Sequence, residues 1–248
     1  MLRGRYKPRG NFFYKLWIKL FGYPLHVAAR IQAYNVMKHF SLNKSHVIFD
    51  AGCGSGAYVI EIGLKEGVIV GVDISKKAIY QASIASKLAK IDDRVSLIVA
   101  DICNLPIKND LFDQTICVDV LEHLAQDTKA IAEIARILKG DGILLLHTPQ
   151  TNQVRCLFSK ITIPDHVREG YEREALIRML HSKNIETIET EETFRFFGTL
   201  SADMQRKFKK KYLHWIVFPI VYPLSKLDLF SKRRGNGLLI IAKKKCHA

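Results

Sequence analysis

No stretch of about 20 consecutive apolar residues occurs in the 248-residue chain, which excludes a bilayer-spanning helix. Cysteine is sparse, with five residues, an odd number, and no C-x-x-C spacing. A disulfide framework or a zinc ribbon is therefore not expected, and a reducing compartment fits. The basic N-terminus has no small-residue cleavage site behind an apolar block, so no signal peptide is expected and a cytoplasmic location is. Acidic residues are absent from positions 1–49, and positions 204–248 hold only Asp228. Those flanks carry +9 and +11, while the middle carries −6, within an overall +14. Such asymmetry points to an anionic partner surface, either membrane or nucleic acid. With 48% apolar and 25% charged residues, the chain can bury one sizeable core and carry one decoration.

What is present centres on Val47 to Asp73. A short apolar run, Val47-Ile48-Phe49-Asp50, leads into Gly52-Cys53-Gly54-Ser55-Gly56, a helix-like stretch follows, and a second apolar run, Val68 to Val72, ends at Asp73. Glycines at 52, 54 and 56 allow a sharp turn and let a ligand lie against the backbone. The helix behind them aims its N-terminal N–H groups at that ligand. An acid at the tip of the second strand is where nucleotide-binding sheets grip ribose hydroxyls. Gly52-x-Gly54-x-x-Ala57 alone also satisfies a dinucleotide fingerprint. Asp50 separates the two readings, because a carboxylate facing the loop repels a pyrophosphate but accommodates an ammonium group, directly or through water.

Two more signals follow in order: Val99-Ala100-Asp101-Ile102, and Phe112 to Leu124, a strand that runs through Val118-Asp119 into Leu121-Glu122-His123. Together the four signals resemble the class I S-adenosylmethionine-dependent methyltransferases, in the type 11 branch with quinone-biosynthesis, small-molecule and glycan methyltransferases. The resemblance covers roughly residues 45–200 and a last strand near 237–245. It implies S-adenosylmethionine as cofactor. The Gly52, Cys53, Gly54 and Gly56 loop would pack on its methionine part, Asp73 would hold the ribose diol, and Ile74 would lie on the adenine. Asp101 would accept from the adenine amino group with the Ile102 backbone beside it, and Val118 and Asp119 would face the sulfonium.

The patterning predicts an α/β fold: a Rossmann-like, doubly wound seven-stranded sheet with helices on both faces and an antiparallel last strand. Strands are expected at 46–50, 68–72, 95–99, 113–119, 142–148, from Ile185 to about Thr190, and from Gly237 to Lys243. Helices are expected over Leu25 to Phe40, 56–65, 75–90, 124–138 and 171–182. The expected organisation is basic amphipathic N-terminal helices over 1–44, a methyltransferase core over 45–198, a basic and apolar insertion over 199–236, and the final strand with a basic tail over 237–248. In the insertion, Lys207 to Lys211 precede Trp215, Phe218 and Tyr222 in an apolar run that Pro219 and Pro223 are expected to break. Phe12, Phe13, Leu16, Trp17 and Phe21 recur at helical spacing. Both segments read as interfacial anchors or as lids over the site.

Methyl transfer requires mainly alignment and exclusion of water, with a base only where the acceptor loses a proton. His147, at the end of the fifth strand, and His166, in Pro164-Asp165-His166-Val167-Arg168, are the candidate proton acceptors. Asp119, Glu122, His123 and His166 imitate the divalent-ion set of some relatives, but Asp119 is a shorter acid than the Glu found there, and no metal is expected. The expected acceptor is small, lipid-linked or glycan-type, methylated at a membrane face. The alternatives are an RNA methyltransferase that holds phosphates with the basic flanks, and a non-catalytic adaptor of the same fold. Aromatics clustered in apolar runs, rather than alternating with lysines, favour membrane over nucleic acid.

Overall fold

The structure is a computed structural model that describes residues 27–41, 43, 45–153, 166–207 and 213–246. The expected helix around Phe12–Phe21, most of the lysine run 207–211 and the Trp215 side chain lie outside the described residues.

A helix, α1 (Val27–Met37), precedes β1 (Val47–Ala51), α2 (Ala57–Leu64), β2 (Val68–Asp73), α3 (Lys76–Ala89), β3 (Val95–Val99) and β4 (Phe112–Val118). A 3-10 turn (Leu121–His123), α4 (Asp127–Ile137), β5 (Leu138–Pro149), α5 (Arg173–His181) and β6 (Ile185–Thr193) follow. Next come α6 (Phe196–Lys207), α7 (Leu213–Ser225) and a 3-10 segment (Lys226–Phe230), before β7 (Gly237–Lys244) closes the sheet. The strand order is β3-β2-β1-β4-β5-β7-β6, and only β7 runs antiparallel to its neighbours. Chain order reverses between β1 and β4. That switch point opens a crevice at the carboxyl ends of the strands.

The strands β1, β4, β5 and β7 read as near-continuous apolar runs because both faces of the sheet are covered. Alternation sends Phe49, Phe112, Leu144, Leu146, Leu238 and Ile240 to one face, with Ile131, Ile134 and Ile137 of α4 and Leu176 and Leu180 of α5. Ile48, Ile116, Leu145, Leu239 and Ile241 go to the other, against Val36 of α1 and Val59 and Ile62 of α2. Each such large aliphatic side chain contributes about 1.5–3 kcal/mol on burial. Ser75 caps α3 by accepting from Ala78 N at 3.2 Å.

Two expectations fail in the insertion. Pro219 and Pro223 do not break the apolar run, because α7 continues through both. Phe218 is not an interfacial anchor: it is 1% exposed and packs with Val221 against Val27 and Ile31 of α1. Its ring also stacks on Tyr222 at 5.4 Å. This packing offsets the backbone hydrogen bonds that proline removes. The α1 helix starts at Val27 among the described residues and ends three residues before Phe40, and β6 extends to Thr193.

Candidate functional site

The crevice is built from the glycine turn after β1. Gly52 N and Cys53 N both donate to Val72 O at 2.8 Å, which ties the turn to β2. Gly52 has φ of 74°, and a Cβ there would lie 2.4 Å from Val120 Cγ2. At Gly54, with φ of 52°, a Cβ would meet nothing within 4 Å, so that side of the loop faces open space. Gly71, whose role the sequence did not disclose, leaves room on β2 for the Cys53 side chain.

Asp73 stands at the tip of β2. Its carboxylate accepts from Gly54 N at 2.9 Å and from Ser75 N at 2.8 Å. Those bonds fix the rotamer and leave lone pairs for hydroxyls of a ligand. Ile74, beside it, is 72% exposed, a flat apolar lip with nothing over it among the described residues. Asp101 is exposed and held by Cys103 N at 2.8 Å, whereas the Ile102 side chain is in the core. With its side chain in the core, Ile102 has its backbone left to offer a ligand.

Asp50 is buried, and its Oδ2 has no hydrogen-bond partner. Burial, with the Asp73 charge second, pushes its carboxyl up to about 8. The Tyr58 hydroxyl, on the first turn of α2, is likewise buried without a partner. Burial and the charges of Asp119, Asp50 and Glu61 raise its pKa. The same burial, with Asp50 and Asp73, pushes the Cys53 thiol up, so Cys53 is a packing residue and not a nucleophile.

Where β4 ends, Val118 pairs in register with His147 of β5, and Asp119 turns into the left-handed region with φ of 53°. A four-residue relay starts there. Gln32 of α1 donates to Asp119 Oδ2, Asp119 Oδ1 lies 2.8 Å from His147 Nδ1, and His147 Nε2 lies 2.8 Å from Thr193 Oγ1 at the end of β6. His147 is buried; the Asp119 side chain is 38% exposed. Burial raises the Asp119 carboxyl, but the His147 charge and the bonds from His147 and Gln32 hold it, on balance, below the usual carboxylate range. Gln32, Thr193 and Tyr58 were not singled out by the sequence. The position of Thr193 at a strand's carboxyl end is the signal that could have found it.

His166 belongs elsewhere. Its ring packs edge-on to His123 at 4.6 Å, and with Glu122 the two histidines bring ligand-type atoms within 4.8 Å of one another. Asp119, the fourth member of the sequence-derived metal set, is committed to His147 and Gln32. Glu122 is buried, and burial together with the Asp119 charge raises its carboxyl to about 8.

A cavity of about 530 Å³ adjoins the relay. Thr193 lines it, as do Ile31 and Tyr34 of α1, Arg173 of α5, Tyr222 of α7 and Leu229.

Comparison with known proteins agrees with this geometry. Residues 49–146 match the family model described as a methyltransferase domain. A tRNA (carboxymethyluridine(34)-5-O)-methyltransferase of Arabidopsis thaliana is 36% identical over 110 residues, covering 43% of this chain and 24% of the relative. The 27-O-demethylrifamycin SV methyltransferase of Amycolatopsis mediterranei is 33% identical over 100 residues, covering 40% of this chain and 37% of the relative. The match thus spans less than half the length of either relative. Among solved structures, the [4+2]-cyclase SpnF superposes with a TM-score of 0.65 at 18% identity, covering 89% of this chain and 81% of the cyclase, a likeness of fold alone. The matched core, the sheet order and the glycine turn with its two carboxylates identify residues 49–146 as a class I S-adenosylmethionine-dependent methyltransferase domain.

Proposed function

We propose that the chain transfers a methyl group from S-adenosylmethionine to a small, lipid-linked or glycan-type acceptor at a membrane face. The observation that carries this reading is the cavity beside the relay, which is lined by Thr193, the residue that His147 Nε2 engages. The residues present suit the cofactor. Asp73 offers lone pairs to a ribose diol, Ile74 offers an apolar lip to a purine, and Asp101 offers an acceptor to an exocyclic amine. Asp50 and Tyr58 are buried polar groups lacking partners at the glycine turn, where a ligand's polar end would satisfy them. The sulfonium supplies an activated methyl with a neutral leaving group.

The protein's share of the chemistry is alignment and water exclusion. Asp119, charged and partly exposed, faces the cleft and favours positive charge there. His147 has both ring nitrogens engaged, so it acts through Asp119 and Thr193 as a positioning residue. His166, half-buried beside His123, is the proton acceptor we propose for a hydroxyl substrate, although it does not line the cavity at Thr193.

A second reading, methylation of RNA, is favoured by the +14 charge and by the tRNA substrate in the first relative's name. Incubation with methyl-tritiated S-adenosylmethionine, a total lipid extract and total RNA separates the two. Label extracted with lipid supports the first reading, and label retained on RNA overturns it in favour of the second.

A further inference from the structure

The insertion between β6 and β7 presents a ridge that nothing in the chemistry above uses. Along α7 and the 3-10 segment after it, Phe218, Val221 and Ser225 face inward and are buried. Ile220, Pro223, Leu227 and Phe230 are exposed and follow at spacings of three, four and three residues. Such spacing keeps them on one side through two α turns and one 3-10 turn. Ile220 is 68% and Phe230 83% exposed, high values for side chains of this size. A contiguous apolar ridge of this kind marks an interaction surface.

Within this segment the exposed charge has one sign. Lys226, Lys232, Arg233 and Arg234 are all exposed. Asp228 is the one acid between Asp203 and the C-terminus, and it is turned inward, where its carboxylate accepts from Phe197 N at 2.8 Å and Gly198 N at 2.9 Å. No carboxylate of the segment is therefore presented alongside the apolar side chains. The Lys226 ammonium sits over the Tyr222 ring at 5.7 Å, and the Arg233 guanidinium lies 4.9 Å from the Phe196 ring. Tyr222, Lys226 and Leu229 also line the 530 Å³ cavity, which places its mouth at the edge of the same surface.

We propose that this ridge is a docking face for an anionic bilayer surface, with Ile220 and Phe230 entering the headgroup boundary and Lys226, Lys232, Arg233 and Arg234 meeting lipid phosphates. Apolar side chains flanked by cations match such an interface on both counts. A phosphate backbone of nucleic acid would engage the cations and leave the apolar ridge in water. The inference rests on the acceptor reading above, since it delivers a lipid-linked acceptor directly into the cavity.

The test is cosedimentation of the full chain with vesicles of phosphatidylcholine alone and of phosphatidylcholine with phosphatidylglycerol. Binding should need the anionic lipid and be only partly reversed by salt, because the apolar share is not screened. Ile220→Ser with Phe230→Ser should lower the partition coefficient roughly tenfold or more. Lys232→Gln with Arg233→Gln and Arg234→Gln should lower it and remove most of its salt dependence. Affinity for S-adenosylhomocysteine, measured on the same samples, should be unchanged and reports an intact core. Absence of binding to anionic vesicles, or binding that neither variant weakens, overturns the docking face. So does a concentration-dependent dimer abolished by Ile220→Ser with Phe230→Ser in a chain that ignores vesicles, which would assign the ridge to a second copy. Label transfer into lipid without vesicle binding would refute this surface alone, and label transfer into RNA would refute the acceptor reading alone.

Discussion

Asp119 Oδ1 and His147 Nδ1 meet at 2.8 Å across the carboxyl ends of β4 and β5, and the same imidazole reaches Thr193 with its other nitrogen. The pair joins two neighbouring strands at the point where β4 leaves the sheet, so the orientation of Asp119 depends on a ring that never reaches solvent. His147→Ala would leave Asp119 short of one partner and strand the Thr193 hydroxyl, a loss of about 1–3 kcal/mol in stability. Turnover should fall at least about tenfold while cofactor affinity changes only a few-fold, since the relay orients the reacting side of the site. Unchanged turnover and unchanged melting temperature would remove His147 from the mechanism.

Asp50 gives a pH dependence whose direction is fixed. Its carboxyl is raised from 3.8 to about 8 by burial and then by Asp73. The folded protein therefore favours the protonated form. Stability from this group is fully present below 3.8 and is lost as pH rises through about 8. The ligand-free protein should melt lower at pH 9 than at pH 6, and Asp50→Asn should flatten that fall by up to a few kcal/mol. Glu122, raised to about 8 as well, contributes the remainder. An equally steep fall in the Asn variant would contradict this role for Asp50.

Methyl transfer should survive chelation. Glu122, His123 and His166 lie close together, but Asp119 is bound to His147 and Gln32 and does not complete the set. Activity with EDTA should stay within about twofold of the untreated protein, less than the tenfold that 1.4 kcal/mol would give. Complete loss restored by Mg²⁺ or Mn²⁺ would make those three residues ligands.

The parts of this site that were legible in the sequence are those made by contiguous residues. Gly52 to Gly56 and Asp73 announce themselves because a tight turn and a strand tip demand particular residue types. The central strands β1, β4 and β5 were legible because buried parallel strands are short apolar runs between helices. The relay was not, because Gln32, Asp119, His147 and Thr193 come from four elements with no fixed spacing. Gly237 illustrates the difficulty: it reads as a strand start, but a Cβ there would lie 2.3 Å from Thr193 Oγ1 and 2.8 Å from His147 Nε2. The α7 helix was misread because two prolines weigh heavily in a local pattern, whereas Val27 and Ile31, which hold that helix in place, lie about 190 residues earlier in the chain.

The cofactor cradle is tested most directly by titration calorimetry, because a cyclase with this fold shows that the sheet alone does not fix the chemistry. S-adenosylmethionine and S-adenosylhomocysteine should both bind, and NAD should not. Asp73→Ala should weaken binding by about 1–3 kcal/mol, the cost of leaving ribose hydroxyls unpaired. Gly52→Ala should abolish it, because the added Cβ would sit 2.4 Å from Val120 Cγ2 at a residue whose φ is 74°. Tight NAD binding with no heat from S-adenosylmethionine, or affinity indifferent to Asp73, would contradict the assignment of this cleft.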